Sequence, residues 1–96
     1  MQIETNSKER YILKKAIELK GKEHQQLIAI EEMSELTKEI VKKFRNNDIT
    51  NIHLYEEIGD VLIMLKQLMI MYDCSFEVSD VISYKIKRLA DRLGLK

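Results

Sequence analysis

The chain has 96 residues, which is the size of a single domain, since domains typically run to roughly 100–150 residues. Its sixteen basic residues balance sixteen acidic ones, so it lacks the basic excess that binds nucleic-acid phosphates or anionic membranes. A hydrophobic content of 45% is too high for a disordered chain. The absence of proline and the presence of only three glycines argue against an all-β fold, whose turns depend on both.

Apolar residues recur at helical spacing in four segments, which predict α-helices at residues 7–20, 23–44, 51–72 and 77–93. Ser7 is the expected N-cap of the first helix, and Gly21 is its expected C-terminal stop. Turn-forming residues 46–48 separate the second and third helices. Because short connections favour antiparallel neighbours, we expect one all-α domain over residues 1–96, a four-helix bundle-like, up-down arrangement.

The third predicted helix is apolar on nearly all sides. Its main stripe and flanks comprise Leu54, Ile58, Val61, Leu62, Ile63, Met64, Leu65, Leu68, Ile70, Met71 and Tyr72. A helix of this kind is buried on more than one side, and so short a chain has little other surface with which to cover it. We therefore expect an oligomer, a homodimer or homotetramer, with this helix at or near the interface. A loosely packed, methionine-rich monomer core is the alternative.

The single cysteine, Cys74, cannot form an internal disulfide, and the first residues lack the apolar segment of a signal peptide. Both features predict a cytoplasmic protein. The longest apolar run, residues 61–65, is far shorter than the roughly 20 residues of a membrane span.

Three acidic residues, Glu31, Glu32 and Glu35, lie within about one turn of the second predicted helix. Residues three and four apart are neighbours on a helix, so Glu35 repels the other two by about 0.2–0.5 kcal/mol per pair. Glu31 and Glu32 have no basic residue three or four positions downstream, and Lys38 is the one weak partner of Glu35. The cluster is therefore destabilising unless a cation lies against it.

A second acidic cluster, Glu56, Glu57 and Asp60, lies on the apolar third helix. No Lys or Arg lies within one turn of these residues in either direction. Carboxylates isolated on a buried helix are expected either to become neutral or to bind a metal ion.

The two clusters can face one another if the second and third helices are antiparallel. Together they would form an all-oxygen cage of the kind that suits Mg²⁺, with Mn²⁺ as a second candidate. No histidine has the Glu-x-x-His spacing of di-iron bundles, which disfavours iron. The alternative is that these acids simply cover solvated helix faces.

Two motifs resemble those of the MazG-like all-α nucleoside triphosphate pyrophosphohydrolases: EEMSEL at residues 31–36 and EIGDV at residues 57–61. A glutamine shortly before the acids, within residues 21–27, and a basic last helix at residues 84–89 are also similar to family members. The resemblance extends over residues 8–93.

The resemblance implies a helical bundle that forms a dimer or a dimer of dimers. It also implies Mg²⁺-dependent hydrolysis of a nucleoside triphosphate to the monophosphate and pyrophosphate, with nucleotide-pool cleansing as the expected role. By motif position, the metal ligands would be Glu32, Glu35, Glu57 and Asp60. Glu31 would orient the attacking water, and either Glu31 or Glu35 could accept its proton.

Further residues are candidates for binding the substrate. Lys85 and Arg88 lie three positions apart on the last helix and could hold the departing pyrophosphate; a solvated basic face is the alternative. Tyr11, Gln25 and Tyr84 are candidate contacts to the base, with a structural role as the alternative for each. The identity of the base stays open.

Two other functions remain possible from the residues. A phosphoribosyl-ATP pyrophosphohydrolase is similar in size and motif, but that family carries an aromatic residue and a histidine soon after the second motif. Here residues 61–65 read VLIML, with neither. The other possibility is a non-catalytic helical interaction protein whose acidic clusters contact a basic partner.

Overall fold

The computed structural model describes residues 5–46 and 50–95. All regular secondary structure in that part of the chain is α-helix. The helices are α1 Ser7–Lys20, α2 Lys22–Asn46, α3 Ile52–Met71 and α4 Ser75–Arg92. The all-α prediction is confirmed, and each helix end lies within two residues of its predicted position. Of the predicted break between α2 and α3, residues 47 and 48 lie outside the described residues.

A reciprocal capping box begins α1. The Asn6 side chain accepts a hydrogen bond from the Glu9 backbone N–H at 2.8 Å, and the Glu9 carboxylate accepts one from the Asn6 backbone N–H at 3.1 Å. Ser7 is the first helical residue, so the prediction of Ser7 as the N-cap is wrong. The Asn6 side chain satisfies the backbone N–H of Glu9, and that acidic residue in the first turn also complements the helix dipole.

A single residue, Gly21, connects α1 to α2, as the predicted stop requires. Its φ of 96° lies in a region that side chains disfavour, and its N–H donates to the Ile17 carbonyl at 2.8 Å. This sharp reversal packs α1 against both α2 and α3, with Ile17 buried.

The most extensive helix contact is between α2 and α3. Hydrogen bonds across the pair join early α2 to late α3, from Gln25 to Gln67 and from Tyr72 to Gln26, so the two helices are antiparallel. The apolar core is small and consists of Ile17, Ala29, Val61 and Met64. This small core holds α1, α2 and α3 together.

The fourth helix packs against the rest of the described chain at one helix only. Among the described residues, α4 contacts α3 but neither α1 nor α2, and none of its residues is buried. The radius of gyration is 16.0 Å, whereas a compact domain of this size has a value of about 13 Å. The single chain therefore does not close a four-helix bundle on itself.

Two apolar stripes lie on the outside of the chain. On α2 the exposed stripe comprises Leu27, Ile30, Met33, Ile40 and Phe44, and on α4 it comprises Val81, Ile82, Ile86, Leu89 and Leu93. The chain exposes 8097 Å², against about 5,800 Å² expected for a compact monomer of this mass. Within residues 5–46 and 50–95, no helix combines the length and apolar content that crossing a bilayer requires.

Candidate metal centre

Three carboxylates from the two predicted clusters meet between α2 and α3. One ligand oxygen each from Glu32, Glu57 and Asp60 lies within 4.8 Å of the others. Glu32 and Glu57 are partly buried, while Asp60 is exposed. Because Glu57 and Asp60 are three residues apart on α3, they share one face, and antiparallel α2 presents Glu32 to it.

The Glu57 carboxylate contains an orphaned atom. Its Oε2 is inaccessible to solvent and has no hydrogen-bond partner. A buried carboxylate oxygen without a donor is unfavourable, because it has lost its hydration and received nothing in exchange. An unpartnered oxygen beside two further carboxylates is an arrangement that a bound cation would stabilise.

Burial and like charges act together on these groups. Partial burial raises the pKa of Glu32 above its ordinary value of 4.5, and the neighbouring Asp60 and Glu57 charges raise it further. Burial is likewise the main cause that raises the pKa of Glu57. The charge of Asp60 raises this pKa further, and so do the charges of other nearby acids. Both carboxyls therefore hold a proton more tightly than they would in an unfolded chain.

No basic side chain of the described residues forms an ion pair with these acids. Among the described residues, none of the three grouped acids forms an ion pair, whereas Lys38 pairs with Glu35 at 3.3 Å and Lys42 pairs with Glu39 at 3.4 Å. The two lysines are thus bound to carboxylates beside the group rather than to the group itself. The uncompensated charge at Glu32, Glu57 and Asp60 remains available to a cation from solution.

These shifts predict how the stability of the metal-free protein depends on pH. With raised pKa values in the fold, Glu32 and Glu57 contribute stability that is complete below about pH 4.5 and is lost as the pH rises through those values. With a chelator present, the melting temperature of the parent should therefore fall between about pH 5 and about pH 7. The melting temperature of Glu57→Gln, which lacks one of the two groups, should fall less over the same range. Equal pH dependence of the two proteins would contradict the raised pKa of Glu57.

The remaining predicted acids lie at the edge of the group. Glu31 and Glu35 are exposed on α2, and the charge of Glu35 still contributes to the raised pKa of Glu57. Glu35 is outside the three-residue group and accepts a hydrogen bond from Lys38. Its role as a metal ligand therefore stays a prediction, as does the water-orienting role of Glu31.

Two further polar residues of α2 and α3 were not predicted from the sequence. Glu39 is only 12% exposed in its side chain and helps to raise the pKa of Glu57. Gln67 is 4% exposed on α3. The signal for Glu39 was present, because it follows Glu32 by seven residues and thus shares its helix face.

The candidate substrate contacts do not converge on the three acids within the described chain. Lys85 and Arg88 line a shallow depression on α4 together with Leu89 and Arg92. Tyr84 is exposed beside Arg88, whose guanidinium lies 5.8 Å from the ring centre. Among the described residues, neither Lys85 nor Arg88 forms an ion pair with the acidic group.

The other two candidates for contacting the base differ in their surroundings. Tyr11 is exposed on α1, with the Lys15 ammonium 5.7 Å from its ring centre. Gln25 is 5% exposed, and its amide nitrogen donates to Gln67 at 2.8 Å. Its side chain is thus engaged within the fold, and base binding by Gln25 stays a prediction.

The donor set of the group fits a hard divalent cation. All three ligands are carboxylate oxygens, with neither histidine nor cysteine among them, and Mg²⁺ and Mn²⁺ prefer such ligands. Oxygens bound at about 2.1 Å around one octahedral ion lie roughly 3–4 Å apart. The observed separation of up to 4.8 Å is therefore close enough for rotations of the side chains to complete the site.

No family model, curated protein or solved structure matches the chain. The resemblance to the MazG-like pyrophosphohydrolases therefore rests on the two acidic motifs. The structure adds to those motifs the proximity of Glu32, Glu57 and Asp60.

Proposed function

We propose that the protein is a Mg²⁺-dependent nucleoside triphosphate pyrophosphohydrolase that converts a (deoxy)nucleoside triphosphate and water into the monophosphate and pyrophosphate. The observation that supports this most directly is the buried, unpartnered Glu57 oxygen within a group of three carboxylates. The order of the two acidic motifs along the chain supports the choice of reaction, and nucleotide-pool cleansing is the role that fits such a reaction.

In this proposal Glu32, Glu57 and Asp60 hold the metal, and Glu35 completes the set from the edge of the group. Bound Mg²⁺ would neutralise phosphate oxygens and make an attacking water more acidic. The acids lie on α2 and α3, the two described helices with the most extensive mutual contact.

The proton of the attacking water needs an acceptor on the solvent side of the group. Glu31 and Glu35 are both exposed there on α2, and a carboxylate that is free to exchange with solvent can pass the proton on. Lys38, bonded to Glu35 at 3.3 Å, would orient that carboxylate. Either residue can serve, and Glu31 lies next to Glu32 in the chain.

Lys85 and Arg88 would bind the β- and γ-phosphates, leaving the α-phosphorus nearest the acids. Within one chain α4 does not reach α2. We therefore place this contact in an assembly in which α4 packs against another helix beside the site. The cations of α4 are exposed and free to meet a phosphate.

The assembly we propose is a homodimer or homotetramer. The excess of exposed surface over a compact monomer, about 2,300 Å² by the scaling of monomer surface with mass, is of the size that one subunit buries in an obligate dimer. The outer stripes of α2 and α4, with the exposed α3 residues Ile52, Ile58 and Ile63, supply the apolar part of that area. A second copy would cover them and complete the helical bundle that a single chain leaves open.

Light scattering should accordingly report a mass of at least twice 11.4 kDa at micromolar concentration. Phe44 is 87% exposed on α2, so Phe44→Glu should shift the protein towards monomer by placing a charge in the proposed interface. Lys8→Glu, a charged change at an exposed position of α1 that lies outside both apolar stripes, is the control. A monodisperse parent monomer would rule out the assembly.

The reaction is tested by assaying pyrophosphate release from a panel of canonical and modified NTPs and dNTPs with Mg²⁺. Hydrolysis in ¹⁸O-labelled water should place the label on the monophosphate, since water attacks the α-phosphorus. The chain has no Gly-rich loop followed by a Walker lysine, the arrangement used for transfer of the γ-phosphate. Label in orthophosphate, or a diphosphate product, would contradict the proposed reaction.

A further inference from the structure

We propose that the buried Gln25–Gln67 pair sets the axial register of α2 against α3, and so determines that Glu32 lies opposite Asp60. The two side chains are 5% and 4% exposed, the most completely buried polar residues of the described chain. The Gln25 amide nitrogen donates to the Gln67 carbonyl oxygen at 2.8 Å. The pair joins residues that are 42 positions apart in the sequence.

Both ends of the Gln25 amide are engaged. Its oxygen lies 2.8 Å from His24 Nδ1, a contact that is a hydrogen bond when this ring nitrogen carries the proton. The amide nitrogen is directed at α3. A donor facing a buried acceptor makes this contact specific to one alignment of the helices.

The pair and the acidic group occupy successive layers of the same helix interface. Glu32 follows Gln25 by seven residues on α2, and Asp60 precedes Gln67 by seven residues on α3. Because the helices are antiparallel, the alignment that joins Gln25 to Gln67 also places Glu32 level with Asp60. The two layers are separated by two helical turns, or about 10.5 Å.

Apolar packing alone would define this alignment poorly. The third helix is apolar on nearly all sides, and contacts among Leu, Ile and Met side chains are non-directional. A slip by one turn would exchange one apolar contact for another, but it would leave two buried amides without partners. Single buried polar residues fix register in the same manner in coiled coils.

The consequence for the site follows from the helix geometry. A one-turn slip moves Glu32 by about 5.4 Å along α3, which separates it from Asp60 and disperses the acidic group. The register inference depends only on the described contacts. Its effect on metal binding rests on the proposed function.

The test combines Gln25→Leu and Gln67→Leu in one chain, because replacing both partners removes the hydrogen bond without burying an unpaired amide. The matched control is Gln26→Leu, the same change at the next residue of α2, where the glutamine accepts from Tyr72 in an exposed hydrogen bond. In a Cys74→Ser background, spin labels at exposed positions Glu23 and Tyr55 report the offset of the helices. Dilution with unlabelled protein restricts the measurement to one chain.

We expect the double variant to remain helical and to show a label distance that is shifted or broadened by about 5 Å, the rise of one helical turn. Its affinity for Mn²⁺, measured by titration, should fall at least tenfold, while Gln26→Leu matches the parent in both measurements. An unchanged distance in the double variant would overturn the register inference. Failure of the parent to bind Mn²⁺ would instead refute the metal site, and the distance measurement would still decide the register.

Discussion

Asp60→Asn is expected to lower nucleoside triphosphate hydrolysis by at least about a hundredfold, since loss of residues that merely orient metal ligands already costs 10–100-fold. The substitution keeps the shape of the side chain and removes a charged oxygen from the group with Glu32 and Glu57. It also removes the charge that contributes to the raised pKa of both neighbours. The metal-free variant should therefore be as stable as the parent or slightly more stable.

The matched control is Glu56→Gln, which makes the same kind of change on the same helix. Glu56 is exposed and lies outside the three-residue group, so the variant should retain activity. Glu35→Gln should lose activity if that residue completes the ligand set. A loss of more than about 3 kcal/mol of metal-free stability in Asp60→Asn would contradict the proposal, since breaking a buried ion pair costs about 3–5 kcal/mol.

Much of the fold follows from local chemistry that the sequence displays. Apolar spacing defined the four helices, and Gly21 ended α1 because a reversal in one residue requires a φ that favours glycine. The prediction of Ser7 as the N-cap of α1 is wrong, although Asn6 and Glu9 have the spacing of a capping box. Ser7 and Asn6 are both good caps, and the reciprocal bond to Glu9 decides between them.

The packing of α4 could not be predicted from the sequence in this way. Its apolar face predicts a partner surface, but periodicity does not say whether that surface belongs to the same chain. The residues of this apolar face form a helix as predicted. Val81, Ile86 and Leu89 are exposed, however, so this face is not covered by the other helices of the same chain. The apolar stripe on α2 that includes Phe44 is likewise left exposed by the single chain.

The acidic site was partly predictable for an electrostatic reason. Glu57 and Asp60 have no basic neighbour along α3, and structure formation brings Glu32 to them rather than a cation. Which glutamate of α2 would face α3 depends on the helix register. That register involves Gln67, a single polar residue among apolar ones, whose partner Gln25 is distant in sequence.

Adding Mn²⁺ or Mg²⁺ to the metal-free protein should raise its melting temperature substantially. An ion at one hundred times its dissociation constant stabilises the folded state by about 2.7 kcal/mol if the unfolded chain does not bind it. For a domain of this size each kcal/mol corresponds to roughly 4–8 °C. The expected increase is therefore on the order of 10–20 °C, at constant protein concentration because an oligomer's melting temperature also depends on that concentration.

Glu57→Gln separates this effect from general ionic stabilisation. The variant retains the buried side chain but loses the charge beside Asp60, so it should melt at the same temperature as the metal-free parent or higher, and respond little to Mn²⁺. Glu56→Gln should respond as the parent does, because its carboxylate lies outside the group. A protein whose acids serve only to contact a basic partner would show no response in any of the three chains. An equal increase in all three would show that Mn²⁺ stabilises the fold from elsewhere, because the orphaned Glu57 oxygen would then have no part in binding it.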